Sequence, residues 1–305
     1  MSGVSVPEDV DSGGERARRR VRRADVFTHR RPDETAEALD DLVDLARGRE
    51  VLLRFGPDET RKHERLADDP AVLANAAPDV DVDICFALGG DGTILNALRT
   101  YAGTGIPVFA INFGEMGFLA TVDREDARSG CVRALDGDFE VLSLPAIEVS
   151  GARGRWLAIN DVSMHRQPGK RVADLAYSVG PDEVGRVRCD GLVVATPAGS
   201  TGYNLANGGP VMAWGVHGYV VSFIAPHSFT ARTLVVAPAD QVSVDNRSQE
   251  EPVDVSIDGR PTCTLEAGER LQTRFVVDQG ALAQIPGSTF YQRLREKFGR
   301  LATPM

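Results

Sequence analysis

The texture of the chain changes near residue 138, and that change most constrains the fold. Before it, strand-like and helix-like patterns alternate. Residues 24–29 read as a weak strand, 34–47 as a helix with Ala38, Leu42, Leu45 and Ala46 on one face, and 51–55 as a strand. A polar helical stretch at 62–75, a strand at 82–88, a helix at 93–102, a strand at 107–112 and a helix at 125–135 continue the series. Such alternation predicts βαβ units around a parallel sheet, a Rossmann-like α/β domain.

After residue 138 the helical periodicity largely vanishes. Short apolar runs at 139–142, 158–159, 175–179, 192–195, 219–224, 233–236 and 253–257 are separated by Gly, Pro, Asp or Arg. That density predicts an all-β sandwich, interrupted by one short helix at 201–207. The expected organisation is a basic N-terminal tail (1–23), an α/β domain (24–138), a β-rich domain (139–285) and a tail (286–305). Within the tail, 289–299 reads as a helix that packs back on the α/β domain.

Composition excludes several function classes. The 305 residues suffice for two domains, and the net charge of −10 argues against binding nucleic acid through a basic surface. The one basic run, 16–23, reads as a solvated tail. Residues 211–226, the longest apolar stretch, contain His217, Gly215 and Gly218 and are too short and mixed to span a bilayer. Residues 1–15 lack a secretory apolar core, so a cytoplasmic protein is expected. Only three of 34 basic residues are lysine (Lys62, Lys170, Lys297), and with the acidic balance this suggests a salt-adapted source, such as a halophilic archaeon, or a high-GC one. Cys85, Cys131, Cys189 and Cys263 are far apart and form no Cys-x-x-Cys pair, and the five histidines show no His-Glu-x-x-His pattern. Neither a disulfide framework nor a transition-metal hydrolase is expected.

Chemistry concentrates in two runs. Gly89-Gly90-Asp91-Gly92-Thr93 lies where an apolar strand gives way to a helix. Glycines there let the backbone turn and bring N–H groups to a phosphate at a helix N-terminus. A carboxylate in that anion-favouring spot repels phosphate, so Asp91 needs a reason: a metal to hold, a ribose hydroxyl to accept, or a proton to remove. The plainer reading is a helix N-cap. The second run, Asp190-Gly191 through Thr196-Pro197-Ala198-Gly199-Ser200-Thr201-Gly202-Tyr203, ends in Gly208-Gly209-Pro210. Ser200 in it reads equally well as an N-cap. No Gly-x-x-x-x-Gly-Lys-[Ser/Thr] is present, so the glycine turn rather than a P-loop must hold phosphates.

These residues, together with Asn112-Phe113-Gly114-Glu115-Met116-Gly117-Phe118-Leu119, Asn160-Asp161, Pro226-His227-Ser228-Phe229 and Ile257-Asp258-Gly259, resemble the NAD kinases in order and spacing over roughly residues 82–300. The resemblance implies phosphorylation of the 2′-hydroxyl of the adenosine ribose of NAD, using ATP or polyphosphate and a divalent cation, expected to be Mg, carried by ATP rather than by protein ligands. Asp91 is then the general base, and Gly89, Gly90, Gly92 and Thr93 form the phosphate-binding turn. Asn160 and Asp161 hold the dinucleotide, with Asp190, Arg188 and the stretch Thr201, Gly202, Tyr203, Asn204, Leu205 and Ala206 around it. Phe118 lies against the adenine, while Gly92, Asn96 and Arg260 complete the NAD site. Departures are Asp161, where the family usually has Glu, and Ala198 and Gly202, where Thr and Ala are commoner. The resemblance also implies a homodimer or homotetramer built through the β-rich domain. Two alternatives stay open: a non-catalytic dinucleotide sensor of the same fold, and a diacylglycerol- or sphingosine-type lipid kinase, which shares only the glycine turn.

Overall fold

The computed structural model describes residues 20–115 and 117–299. Elements β1 (Arg23–Thr28), α1 (Ala36–Arg47), β2 (Leu52–Phe55), α2 (Pro57–Lys62), β3 (Val72–Leu73), β4 (Ile84–Gly89), α3 (Asp91–Thr100), β5 (Val108–Asn112), β6 (Val122–Asp123) and α4 (Ala127–Leu135) form the alternating part. Strands β7 (Glu140–Gly151), β8 (Gly154–Ala158), β9 (Asp161–Arg166), β10 (Ala173–Val179), β11 (Asp182–Cys189) and β12 (Gly191–Ala195) follow. After them come a short α5 (Tyr203–Ala206), β13 (Tyr219–Ile224), β14 (Leu234–Val236), β15 (Val242–Asn246), β16 (Val253–Ile257), β17 (Arg260–Leu265), β18 (Arg270–Gln284) and α6 (Phe290–Phe298).

Strands β5, β4, β1 and β2 pair in parallel. Strand β4 is buried along its whole length, as a parallel strand covered on both faces must be. Its side chains divide by parity. Ile84, Phe86 and Leu88 join Leu39 and Leu42 of α1 and Leu135 of α4 in one core, whereas Cys85 and Ala87 join Ile94, Leu95 and Leu98 of α3 in another. This two-sided packing fixes where α3 starts, directly beyond the end of β4.

The sheet does not stop at residue 138. Strand β18 runs on from the parallel part, where Leu282 pairs with Val108, to the β-rich half, giving the order β11-β10-β15-β18-β5-β4-β1-β2-β3. A second, antiparallel sheet, β14-β13-β12-β9-β16-β17, faces the far half of the first. Val162, Met164, Leu192, Val194 and Val221 of this sheet meet Val149, Leu175, Val244 and Leu271 of the other in a sandwich core.

Three expectations need correction. The helix expected at 62–75 ends instead at Lys62, and a single 3-10 turn and β3 occupy the rest. Pro70 has no amide to continue a helix, and the residue before a proline is pushed toward extended backbone. The basic tail ends before residue 23: Arg23 opens β1, the amides of Arg22 and Arg23 donate to Asp83, and Val21 is buried. The rest of that tail, 1–19, lies outside the described residues, as does the end of the C-terminal tail. Ile159 follows β8 rather than continuing it, because it enters the turn that becomes part of the site. Among the described residues no helix is long and apolar enough to cross a membrane.

Candidate active site

The glycine turn is built by close approach. A Cβ on Gly89 would meet the Thr93 side chain at 2.3 Å, because Thr93 folds back over the end of β4. A Cβ on Gly114 would lie 3.1 Å from Gly90 Cα, so two loops pass backbone against backbone. Gly117 has φ +62 and leaves room for the buried Asn112 side chain. Three glycines are thus fixed by sterics before any ligand is considered.

Asp91 is the first residue of α3, and Gly90, not Asp91, is its N-cap; no side chain caps this helix. The N-cap reading therefore fails. The carboxylate is largely enclosed, and its Oδ1 is buried without a hydrogen-bond partner among the described residues. Burial raises its pKa, while the amides of Leu119 and Gly117 and the charges of Lys297 and Arg293 pull the other way. The result is an acceptor of strengthened basicity with one oxygen uncommitted.

Helix α3 also carries the site toward the β-rich half. Arg99, two turns on, sits 3.5 Å from Asp258, whose carboxylate accepts from the amides of Asn160 (2.7 Å), Asp161 (3.2 Å) and Ile159 (3.2 Å). In return the Asp258 amide donates to the Asp161 carbonyl at 2.9 Å. Asp258 adopts φ +48, so its carboxylate points back into the 159–161 turn. In the sequence Asp258 stands out only as part of Ile257-Asp258-Gly259, and nothing in that run announces its role. The other face of the turn is closed by the second run: Thr196 binds the carbonyls of Asn160 (2.8 Å) and Ile159 (2.7 Å), and a Cβ on Gly199 would lie 2.1 Å from the Asn160 carbonyl. Asn160 Oδ1 is buried without a partner among the described residues, a further uncommitted acceptor of the site.

Asp161 is buried, and that burial, followed by the nearby charge of Asp258, pushes its pKa up from 3.8 to about 7. A raised folded-state pKa means the folded chain holds this proton more tightly than the unfolded one. Its contribution to stability is complete below the unfolded value of 3.8 and is lost as pH rises through about 7. Asp161→Asn, which stays neutral, is therefore expected to gain melting temperature relative to the wild type as pH goes from 5 to 8. Parallel profiles in thermal melts would show that Asp161 titrates as an ordinary carboxylate.

Around this turn the structure gathers some expected residues and removes others. Tyr203 stacks on His165 of β9 with ring centroids 5.3 Å apart, and the charges of Asp161 and Asp190 help burial raise its phenol pKa. His165 was not anticipated, since a histidine within a strand carries no motif. Asp190 accepts from Arg166 Nε at 2.5 Å, while Arg188 is exposed beside it. Thr201 is buried and donates to Ala198 O; Gly202 and Ala206 are exposed, and Leu205 is half-buried.

Corrections follow for three side chains. Asn204 is fully buried and donates to the carbonyls of Ser200 (3.0 Å) and Pro210 (2.9 Å), so it ties the loop together and faces away from ligand. Ser200 is no N-cap; it accepts from the Met212 amide at 2.8 Å. Phe118 is buried against Phe298 of α6, centroids 5.0 Å apart, which removes it from the adenine.

Above the glycine turn opens a cleft of about 490 Å³, lined by Gly90, Gly92, Thr93 and Asn96, by the cations Arg30, Lys62 and Arg260, and by the carboxylates of Asp58 and Glu59. Arg260 donates to Asn96 Oδ1 at 3.1 Å, which accounts for both residues by one contact across the cleft. Lys62 is held by Glu59 (2.8 Å) and the Thr28 carbonyl (3.1 Å), and Thr28 in turn binds Glu59 and His63. Arg30 and Lys62 escaped the sequence reading; the scarcity of lysine was the one available signal for Lys62. Three cations beside a helix N-terminus suit a polyphosphate.

Residues 15–139 match the ATP-NAD kinase N-terminal domain, and residues 159–278 the ATP-NAD kinase C-terminal domain. The chain is 33% identical over 285 residues to the NAD kinase of Gemmatimonas aurantiaca, covering 91% of this chain and 96% of that one. It is 34% identical over 222 residues to the NAD kinase of Symbiobacterium thermophilum, covering 71% and 78%. Yeast NADH kinase complexed with NADH superposes with a TM-score of 0.81 at 22% identity, over 94% of this chain and 90% of that one. An NAD kinase from Archaeoglobus fulgidus in complex with ATP gives 0.69 at 24% identity, over 92% and 98%. At these identities the two structures speak for a common fold.

Proposed function

The chain belongs to the NAD kinase family and phosphorylates NAD to NADP at the expense of ATP, and we propose that Asp91 is the general base of that transfer. The observation that carries the assignment is the buried, unpartnered Oδ1 of Asp91 at the start of α3. A sugar hydroxyl is a poor nucleophile near neutral pH, and a carboxylate within about 3 Å accepts its proton as the bond to phosphorus forms. In this reading the 2′-hydroxyl of the adenosine ribose donates to Oδ1. Asn160 and Tyr203 hold the dinucleotide across from it, and the triphosphate of ATP lies along Gly90, Gly92, Arg30 and Lys62. The remainder of the barrier is met by positioning and by charge around the phosphates. The lipid-kinase alternative falls with the family assignment, and turnover separates the enzyme from a non-catalytic sensor of the same fold.

The divalent ion fits as a guest of the triphosphate. Among the described residues no three His, Cys, Asp or Glu side chains gather to cage a metal, whereas the cleft offers backbone amides and cations suited to phosphate. When bound, magnesium would neutralise charge on the β- and γ-phosphates.

The reading is tested by NADP formation from NAD, ATP and magnesium by the purified protein. Arg30 is exposed, so Arg30→Ala is expected to raise KM for ATP about three- to tenfold, the worth of a charge-assisted phosphate contact. KM for NAD and the melting temperature should hold. An unchanged KM for ATP removes this wall of the cleft from the donor site.

A further inference from the structure

Helix α6 belongs by sequence to neither catalytic run, yet it reaches the glycine turn by two routes. It starts with a capping box, in which Thr289 accepts from the Gln292 amide and Gln292 accepts from the Thr289 amide. Phe290 anchors it against Trp214, centroids 5.4 Å apart. One turn later the half-buried Arg293 donates to the carbonyls of Gly117 (3.3 Å), Phe118 (3.5 Å) and Thr121 (3.3 Å). The amides of Gly117 and Leu119 in that same segment face the Asp91 carboxylate.

The second route runs through Lys297, which binds Asp123 at 3.0 Å. Asp123 accepts from Asn112 Nδ2 (3.0 Å), and Asn112 Oδ1 accepts from the Gly114 amide (2.9 Å). Gly114 in turn lies against Gly90, next to Asp91. The first chain of contacts ends on the Asp91 carboxylate and the second on the Gly90 backbone beside it.

We propose that Arg293 and Lys297 are positioning residues for the reaction: α6 clamps residues 117–121 and Gly114 around Asp91 and fixes the direction of its carboxylate. This rests on the reading of Asp91 as the base. A guanidinium suits the task because its planar fork donates to the three carbonyls from two nitrogens held in fixed directions, whereas an ammonium donates from a single point. The two cations also favour the charged form of the base. The groups that face Asp91 are Arg293 and Lys297 from α6, with Glu296 on the same helix beside Arg293 and Asp123 from β6 beside Lys297.

The experiment compares Arg293→Gln, Arg293→Lys and Asp91→Asn with the wild type, reading kcat, both KM values, melting temperature and the pH profile of kcat. In Arg293→Gln, kcat is expected to fall about 10- to 100-fold, the range for loss of reactive geometry, with both KM values within about twofold. The acid limb of kcat moves to higher pH, since losing a nearby cation raises the pKa of the base. Arg293→Lys restores the limb but only part of kcat. Unchanged kcat and limb in a folded Arg293→Gln protein, with Asp91→Asn inactive, overturn the clamp and leave the base intact. An active Asp91→Asn instead overturns the base reading itself. If Arg293→Gln does not fold, Lys297→Gln decides by the same limb, moved upward for the proposal and unmoved against it.

Discussion

Asp91→Asn is expected to lower kcat about 10²- to 10⁴-fold, the usual worth of a positioned base, while KM for NAD changes by less than about threefold. The asparagine keeps the shape of the carboxylate and accepts through one oxygen, but it takes no proton at neutral pH. An effect confined to kcat marks an interaction made only in the transition state. Stability should move the other way. Burial disfavours the charged form of Asp91, so its neutral isostere is expected to melt at or above the wild-type temperature at pH 7. The wild-type enzyme should also lose kcat on its acid side as Asp91 is protonated, at a pH above the ordinary carboxylate range. Steady-state kinetics with a thermal melt checks both halves. A variant retaining kcat within a factor of about three would reduce Asp91 to a binding residue and refute base catalysis.

Part of the site is legible in the sequence because it rests on local constraints. Gly89 and Gly117 announce themselves because a Cβ there would run into the Thr93 or Asn112 side chain, and that constraint is written in the residue type. The parity of β4 and the apolar face of α1 are likewise local properties, and both elements lie where the pattern put them. Asn204 misled because an amide in a ligand-like loop reads the same whether it turns outward or inward. Gly209, which leaves room for that amide, was visible but pointed to a turn. Phe118 failed for a related reason: an aromatic after a glycine turn is equally good in a core, and only α6, some 170 residues on, supplied its partner.

Residues that act through backbone groups leave no motif at all. Arg293 is one arginine among many, and its three carbonyl partners become neighbours only once β18 has carried the chain back to the α/β half. His165 is found beside Tyr203 because β9 pairs with β12, bringing Gly191 into register with it. The division at residue 138 rests on periodicity, which reports element type and not that one long strand serves both halves.

Asp258 is the residue whose loss should cost most in stability, and it separates folding from chemistry. Its side chain is fully buried, takes three backbone amides and faces Arg99. Removing one member of such a buried set strands a charge and several donors, which costs about 3–5 kcal/mol. A protein of this size should then melt roughly 6–15 °C lower. NAD binding should weaken by at least about tenfold, since the 159–161 turn that presents Asn160 loses the carboxylate that takes its three amides, while Thr196 still holds the Ile159 carbonyl. Alanine alone is an ambiguous test, because φ +48 strains any residue with a Cβ. Asp258→Gly relieves that strain and removes the carboxylate, so it isolates the tether. It is expected to recover about 1 kcal/mol of the alanine loss and no NAD affinity. If glycine restored both stability and binding, the cost would lie in the backbone, and the carboxylate would not be what joins α3 to the dinucleotide turn.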